Sequence, residues 1–288
     1  MKYAYFPGCS LKCTGRAYEE SLLAVFRTLE IGLEEVEDWN CCGATSYMSV
    51  DESASYALAA RDLALAEQTG HDLVAPCAAC YLVLNKAQHY IRDYPQIRKV
   101  VTQGLAAAGL EYQDTVRVRH PLDILYHDVG PAAIAARVKR KLTGLKVAPY
   151  YGCQIVRPYA TFDDQHEPVA MDKLLEACGA TLVPYSCKTR CCGGSQMGTM
   201  PETGLHLIGR LVDEAQQRGA QVIATVCPLC QFNLDAFQRR AMHDGGAEIP
   251  ILYFTQLMAI AFGLGRRDTA LHRGLVAITP AVKELAYA

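Results

Sequence analysis

The chain lacks the features that mark several common classes of protein. Its 288 residues carry 28 Lys and Arg against 30 Asp and Glu, a formal net charge of −2, and there is no long basic tract. Because binding to nucleic-acid phosphates needs clustered Lys and Arg, we expect no nucleic-acid partner. The short basic run at 137–141 is predicted to be a solvated linker.

Long hydrophobic runs are also missing. The longest apolar stretch, residues 251–264, is too short to span a bilayer and contains Thr255 and Gln256, so we expect no membrane span. Only a brief apolar stretch separates Lys2 from Cys9, which argues against a secretory signal. An odd total of 13 cysteines without such a signal predicts a reducing cytoplasm, with contact to a membrane only through partners.

Nucleotide-binding glycine motifs are absent as well. Nothing in the chain forms a GxGxxG, so neither a flavin nor a nicotinamide site is expected. Any redox chemistry would therefore draw its electrons from a partner.

Cysteine is what the sequence has in quantity, and ten of the 13 cysteines repeat one pattern twice. The pattern is a lone Cys, then CysCysGly, then a CxxC. Between the lone Cys and the pair lie 31 residues in the first half and 37 in the second, and 34 residues separate the pair from the CxxC in both. The first cysteine set is Cys9, Cys41, Cys42, Cys77 and Cys80, and the second is Cys153, Cys191, Cys192, Cys227 and Cys230. The halves therefore form an internal duplication.

Thiolates at these spacings indicate metal binding. A CxxC places two sulfurs close enough to hold one metal or two neighbouring irons. Because neighbouring side chains tend to diverge, the adjacent Cys41 and Cys42 are expected to serve a single ion poorly and to suit an iron–sulfur cluster with several irons. Each half supplies five cysteines where a conventional cubane or a zinc ion takes four, so either one sulfur bridges two irons or one thiol stays free. Structural zinc in place of one cluster is a further possibility.

Glycines directly follow both cysteine pairs. Gly43, Gly193 and Gly194 lack a Cβ, so the backbone can approach closely and turn its N–H groups toward a negatively charged cluster. An ordinary turn is the alternative explanation. Their presence in both halves favours the functional role.

Alternating β-rich and helical segments predict a parallel α/β fold. Predicted strands at 3–6, 73–75, 146–151 and 222–226 each end at a cysteine, and predicted helices cover 18–29, 54–68, 81–91, 169–177, 204–218 and 231–242. We expect two pseudo-symmetric Rossmann-like halves, domains 1–140 and 141–288, with the clusters at the carboxyl ends of the strands. The halves are predicted to face each other about a pseudo-twofold axis.

The complete pattern resembles the B-type subunit of heterodisulfide reductase and its relatives. The duplicated CysCysGly with a CxxC 34 residues on, PheProGlyCys at 6–9 and TyrGlyCys at 151–153 carry the resemblance over essentially the whole chain. It implies a noncubane [4Fe-4S] cluster on each cysteine set, in which one thiolate bridges irons. It also implies an oxidoreductase that acts on a disulfide or thiol substrate, with a ferredoxin-like C-type subunit and a flavin-containing A-type subunit as partners. In the family, the two clusters cleave a disulfide between them.

Relatives attached to respiratory complexes supply a second interpretation. In that case the chain is an electron-transfer or anchoring subunit without a disulfide substrate of its own.

One position departs from the family pattern. Methanogen-type members place a His, as proton donor, directly after the first Cys of the second half, where this chain has Gln154. An amide cannot deliver a proton as imidazole does. By residue type His166, His206 and Lys188 are alternative donors, but each is expected to be a surface or packing residue.

Four further residues have open roles. Arg157, four residues after Cys153, is a candidate to hold an anionic substrate, with a surface ion pair as the alternative. Cys178 is predicted to pack in the core, and Cys187 to be packing or a spare thiol near the second set. Cys13 is predicted to have a structural role such as a helix cap, with a place near the first cluster as the alternative. Tyr150, Tyr151 and Tyr159 are assigned no chemistry.

Overall fold

Two four-stranded parallel sheets organise the protein, one in each half. The computed structural model describes residues 1–44, 46–242 and 246–287, with Ser46 described by its backbone alone. The first sheet has the order β2-β1-β3-β4 and the second the order β6-β5-β7-β8. The strands are β1 (Lys2–Tyr5), β2 (Gly32–Glu35), β3 (Leu73–Val74), β4 (Val118–Arg119), β5 (Lys146–Tyr150), β6 (Thr181–Leu182), β7 (Val222–Thr225) and β8 (Ile251–Tyr253).

Helices cover both sheets and connect the strands. They are α1 (Gly8–Leu11), α2 (Arg16–Thr28), α3 (Ser46–Val50), α4 (Glu52–Glu67), α5 (Ala78–Asp93), α6 (Pro95–Ala107), α7 (Pro121–Asp123), α8 (Pro131–Arg137), α9 (Ala170–Ala177), α10 (Pro201–Gln217), α11 (Pro228–Ala241), α12 (Phe254–Ala261), α13 (Arg266–Thr269) and α14 (Pro280–Tyr287). A π-helical turn, Ile124–Val129, and a 3₁₀ turn, Leu271–Arg273, complete the set. No helix in the described part of the chain is both long enough and apolar enough to cross a membrane.

The duplication predicted from the cysteines extends to strand register. In the first sheet Ala4 pairs with Leu73, and in the second Ala148 pairs with Ile223. These partners are displaced by 144 and 150 positions, the same displacements as the lone cysteines and the CxxC motifs. The two halves are therefore pseudo-symmetric α/β units built on one topology, as predicted.

Each half packs through the segment that follows its lone cysteine onto the opposite half. Helix α2 lies on α12, where Tyr18 stacks on Tyr253 with ring centroids 4.5 Å apart. The corresponding segment of the second half places Phe162 against the rings of Tyr81 and His120. This exchange brings the carboxyl ends of both central strand pairs, β1 with β3 and β5 with β7, toward one interface.

Candidate metal centre

Both CxxC motifs lie where a central strand passes into a helix. Cys77 is the N-cap of α5 and Cys227 the N-cap of α11, and Cys80 and Cys230 lie in the first turn of each helix. The free backbone N–H groups and the dipole at a helix N-terminus stabilise negative charge. The predicted placement at strand ends and helix N-termini is confirmed.

In the first set, four cysteines form a row of sulfurs. The Sγ atoms of Cys42 and Cys80 lie 3.1 Å apart. Cys41 hydrogen-bonds to Cys42 at one end, and Cys80 to Cys77 at the other. Hydrogen bonds from Cys41 and Cys80 lower the pKa of Cys42 to about 4, so this thiol has thiolate character without any metal. Cys9 is exposed beside this row.

The second set repeats much of this arrangement. Cys192 is in hydrogen-bond contact with Cys230, and Cys230 with Cys227. Cys153 pairs separately with Cys191, and this hydrogen bond lowers the pKa of Cys191 to about 6 although burial opposes it.

In each pair, the backbone N–H of the following glycine donates to the first of the two cysteines. The Gly193 N–H donates to Cys191 Sγ over 3.3 Å, and the Gly43 N–H donates to Cys41. Such donors stabilise a thiolate.

The two rows meet at the interface between the halves. Cys77 and Cys227 are in hydrogen-bond contact, and hydrogen bonds from Cys230 and Cys77 lower the pKa of Cys227 well below its usual value. The prediction that the two sets face each other is confirmed. An unbroken row of sulfurs thus crosses the interface in the order Cys41, Cys42, Cys80, Cys77, Cys227, Cys230 and Cys192.

A glycine that lies close to a CxxC sulfur precedes each lone cysteine. A Cβ added to Gly8 would lie 3.1 Å from Cys80 Sγ, and one added to Gly152 would lie 3.1 Å from Cys230 Sγ. Both glycines have positive φ, 65° and 76°, so a larger residue would be strained as well as crowded. The chain therefore keeps matching space beside the second cysteine of each CxxC.

A buried hydroxyl lies beside the contact between the two rows. The Tyr18 hydroxyl is fully buried and has no hydrogen-bond partner among the described residues. Burial, with the charges of Tyr253 and Cys227 nearby, raises the pKa of Tyr18 well above its usual value, so the phenol keeps its proton. An unpartnered buried donor next to thiolates fits an additional acceptor bound there.

Sequence reasoning missed two buried residues at this interface. His120 follows β4, and its Nε2 lies 2.8 Å from the Pro76 carbonyl oxygen, directly before Cys77. Tyr253 occupies the corresponding place in the second sheet, and its hydroxyl donates to Gln231. Both positions end strands of two or three residues, too short to leave a periodic signal.

Gln154 and Arg157, the two candidate catalytic positions suggested by the sequence, lie on the loop after β5. Gln154 is half-buried and lines a cleft together with Cys153, Cys191 and Cys230. The Arg157 guanidinium donates to the Thr189 carbonyl oxygen, and none of the ion pairs among the described residues includes it. Arg157 therefore holds in place, through this hydrogen bond, the backbone that leads to Cys191.

The three alternative proton donors lie away from the sulfurs. His166 is exposed in a turn where its backbone N–H donates to Asp164, and His206 is exposed on α10. Lys188 is ion-paired with Asp172. All three are surface or packing residues, as expected.

The remaining cysteines have separate surroundings. Cys178 is buried, which raises its pKa to about 12, and its predicted packing role is confirmed. Cys13 is exposed, and Gly15 rather than Cys13 stands at the N-cap of α2, so the predicted helix cap is wrong. Cys187 is half-buried and hydrogen-bonded to Glu214. Burial, and to a smaller extent this hydrogen bond, raises the pKa of Cys187 to about 11.

The donor set can be compared with what a metal centre requires. Within 1–44, 46–242 and 246–287, no three His, Cys, Asp or Glu side chains converge on a position for a single metal ion. The sulfurs instead lie in rows with separate attachment points, flanked by space at Gly8 and Gly152 and by the unpartnered Tyr18 hydroxyl. Soft thiolates in such number are ligands suited to iron–sulfur clusters.

The fold and the site define a duplicated cysteine-rich α/β protein. The family named CCG, described as a cysteine-rich domain, matches residues 3–85 and again 147–235. The chain belongs to this family of duplicated CCG proteins, which includes the B-type subunit of heterodisulfide reductase.

Several curated relatives match almost the full length. The chain is 30% identical to the 8-methylmenaquinol:fumarate reductase membrane anchor subunit of Wolinella succinogenes, over 96% of this chain and 98% of that protein. It is 33% identical to a protein of Archaeoglobus profundus named as similar to the B-type subunit of heterodisulfide reductase, over 94% and 93%. It is 28% identical to the B-type subunit of a ferredoxin/F420H2-dependent CoB-CoM heterodisulfide reductase of Methanosarcina acetivorans, over 96% and 94%.

A solved structure shares the fold. The crystal structure of a hypothetical protein from Helicobacter pylori superposes with a TM-score of 0.79 at 13% identity. The match covers 96% of this chain, and this chain spans about half, 52%, of that protein.

Proposed function

We propose that the chain is the iron–sulfur subunit of a heterodisulfide reductase-like complex, which cleaves or forms a disulfide. The contact between Cys77 and Cys227, where the two sulfur rows meet, is the observation that carries this proposal. Two redox centres that share an interface can each exchange an electron with one of the two sulfurs of a single disulfide.

Each cysteine set is proposed to hold one noncubane [4Fe-4S] cluster. Five thiolates per set, one more than a cubane takes, support a bridging sulfur. The helix N-termini at Cys77 and Cys227 would offset the negative charge, and Gly8 and Gly152 would leave room for the inorganic atoms. When bound, the clusters supply electrons one at a time.

The reaction consumes two electrons and two protons for each disulfide and yields two thiols. The Tyr18 hydroxyl, buried and without an acceptor, is proposed to donate a hydrogen bond to sulfur at the interface. Gln154 in the cleft beside Cys153 would orient the substrate through its amide rather than deliver a proton. Arg157 would act indirectly, by positioning the loop before Cys191.

Electrons are proposed to come from partners. A ferredoxin-like C-type subunit would exchange electrons with this chain, and a flavin-containing A-type subunit would feed it. Names of curated relatives support an assembly, since they are called subunits of reductases. We further propose two domains, 1–140 and 141–288, and a cytoplasmic location peripheral to any membrane.

A second function has its own support. The relative from Wolinella succinogenes is named a membrane anchor subunit of a fumarate reductase. The chain would then pass electrons within a respiratory complex and have no disulfide substrate of its own.

Metal analysis and a disulfide assay test these proposals. Anaerobically purified protein is expected to carry about eight irons and matching acid-labile sulfide per chain. About four irons with one zinc would indicate structural zinc in one set, and colourless protein without labile sulfide would contradict the proposal. Full iron content without reduction of any disulfide by the chemically reduced protein would favour the electron-transfer role.

A further inference from the structure

A groove lies on the outer side of the second cysteine set. It has a volume of about 640 Å³ and runs between the turn at 186–190 and helix α10. Cys191, a member of the second set, forms part of its wall, and Cys187 lies beside it. The groove is therefore adjacent to the metal centre but separate from the interface between the halves.

Three arginines give the groove its chemistry. Arg190, Arg210 and Arg218 line it, all are exposed, and none has an ion pair or a side-chain hydrogen bond among the described residues. Of the acids beside them, Glu214 is engaged by the Ser186 N–H at 3.0 Å, while Asp213 also faces the groove. Arg218 acts electrostatically on Glu214, and Arg190 on Cys187. The three guanidinium groups nevertheless outnumber the two acids and keep their hydrogen-bond donors for anions.

The matching positions of the first half carry no arginine. The positions 150 residues earlier than the three arginines hold Asn40, Ala60 and Gln68. Next to Ala60, the Arg61 Nη1 donates to the side-chain oxygen of Asn40 over 3.0 Å. The duplicated fold thus does not require an arginine groove, and its presence in one half indicates a function of its own.

We propose that this groove binds a small organic polyanion, a molecule with two or more carboxylate or phosphate groups, beside Cys191. The volume falls in the usual range of small-molecule sites, about 300–1,000 Å³. The half-buried Leu207 offers apolar surface to the carbon skeleton, while the arginines pair with its charged groups. An acidic segment of a partner protein would use the same arginines, but a concave groove of this size favours the small molecule. The site goes beyond the proposed function and does not depend on the clusters.

Binding to the anaerobic full-length protein tests the proposal directly. Citrate and pyrophosphate serve as probes in equilibrium dialysis, with a hexaglutamate peptide as the competing class. At least one small probe is expected to saturate the protein, and Arg190→Gln and Arg210→Gln each to weaken it by about tenfold. Arg239→Gln, an exposed arginine on α11 outside the groove, is the matched control and should leave binding unchanged.

Protection of a neighbouring thiol locates the bound probe. Alkylation of Cys187 by iodoacetamide, followed by mass spectrometry, is expected to slow when the probe is bound, because Cys187 lines the groove. No saturable binding of either small probe, or equal weakening by Arg239→Gln, would overturn the proposal. Binding of hexaglutamate alone would overturn it in favour of an acidic protein segment.

Discussion

The loops that carry the paired cysteines have different contacts in the two halves. In the first half, the Asn40 N–H donates to the buried carboxyl of Asp62 over 2.8 Å, and Arg61 holds the Asn40 side chain. In the second half the corresponding positions hold Arg190, Val212 and Leu211, so neither bond can form. The loop of the first half is hydrogen-bonded to helix α4, whereas the loop of the second half lies at the edge of an open groove.

What the halves share is equally specific. Both retain five cysteines, a helix N-terminus at each CxxC, and a glycine whose Cβ would crowd a cysteine sulfur. The duplication therefore preserves the residues that would hold metal and varies those around them. The two cysteine sets are thus alike, but their surroundings differ in what can approach them.

A second asymmetry lies at the interface. On one side Tyr18 stacks on Tyr253, and on the other Phe162 faces His120. The displacement of 144 residues relates Tyr18 to Phe162, so only one half provides a hydroxyl there. Any hydrogen bond from this position would act on one side of the sulfur row.

Removal of one cysteine at the interface is expected to have the largest effect, because it should make the iron content of the two halves unequal. Cys77→Ser and Cys227→Ser are each expected to lose about four of about eight irons per chain, since each removes a thiolate from one set only. Iron and acid-labile sulfide assays on anaerobic protein measure this. Cys13→Ser, an exposed thiol outside both sets, is the control and should keep its full iron content. Complete loss in either variant would mean that the sets do not load independently.

Crowding of one sulfur tests whether the two glycines have equivalent roles. Gly8→Ala and Gly152→Ala should each reduce the iron of their own half and lower the free energy of unfolding by about 1–3 kcal/mol, because positive φ is strained for alanine. Gly70→Ala is the matched control, since its φ is +68° and nothing lies within 4 Å of the added Cβ. That variant should lose stability but keep its iron. Equal iron loss in all three would show that strain alone is responsible.

The sequence was sufficient to predict the repeat, the parallel α/β halves and the grouping of cysteines. Fixed spacings and strand-to-helix alternation are local signals, and predicted helices such as 204–218 match α10 to within three residues. Strands β2 and β4 left no comparable signal, because β2 is largely exposed and β4 has two residues. Their order in the sheet comes from packing, which periodicity does not encode.

The finer parts of the site depended on contacts between distant residues. The sequence placed the two sets near one another but gave no reason to pair Cys77 with Cys227, or to place Tyr18 beside them. Gly8 and Gly152 were visible in the motifs, yet only the fold brings them against Cys80 and Cys230. Residue type alone also suggested His166 and His206 as donors, although both are exposed.

Removal of the hydrogen bond between the first-half loop and helix α4 is expected to lower stability moderately. Asp62→Ala should lower the free energy of unfolding by about 2 kcal/mol, because the half-buried Asn40 N–H loses its acceptor. Asp38→Asn, which suits the positive φ of 55° at this position, removes the charge of an exposed partner of Arg61 and should cost less than about 1 kcal/mol. Anaerobic urea denaturation measures both. Equal losses would show that the exposed ion pair holds the loop as strongly as the hydrogen bond to Asp62 does.

The smallest change in stability is expected on removal of the Tyr18 hydroxyl. This change tests whether the hydroxyl donates a hydrogen bond to a bound group. In protein stripped of iron, Tyr18→Phe should raise the free energy of unfolding by about 1 kcal/mol, because it removes a buried donor without a partner. In iron-loaded protein the same change should lower stability and shift the reduction potential of one centre downward, because a hydrogen bond to sulfur stabilises its more negative, reduced form. Tyr56→Phe is the control, since the Tyr56 hydroxyl already donates to Glu52 away from the sulfur row. If the loaded and stripped proteins respond to Tyr18→Phe with the same sign, the hydroxyl does not donate to a bound group.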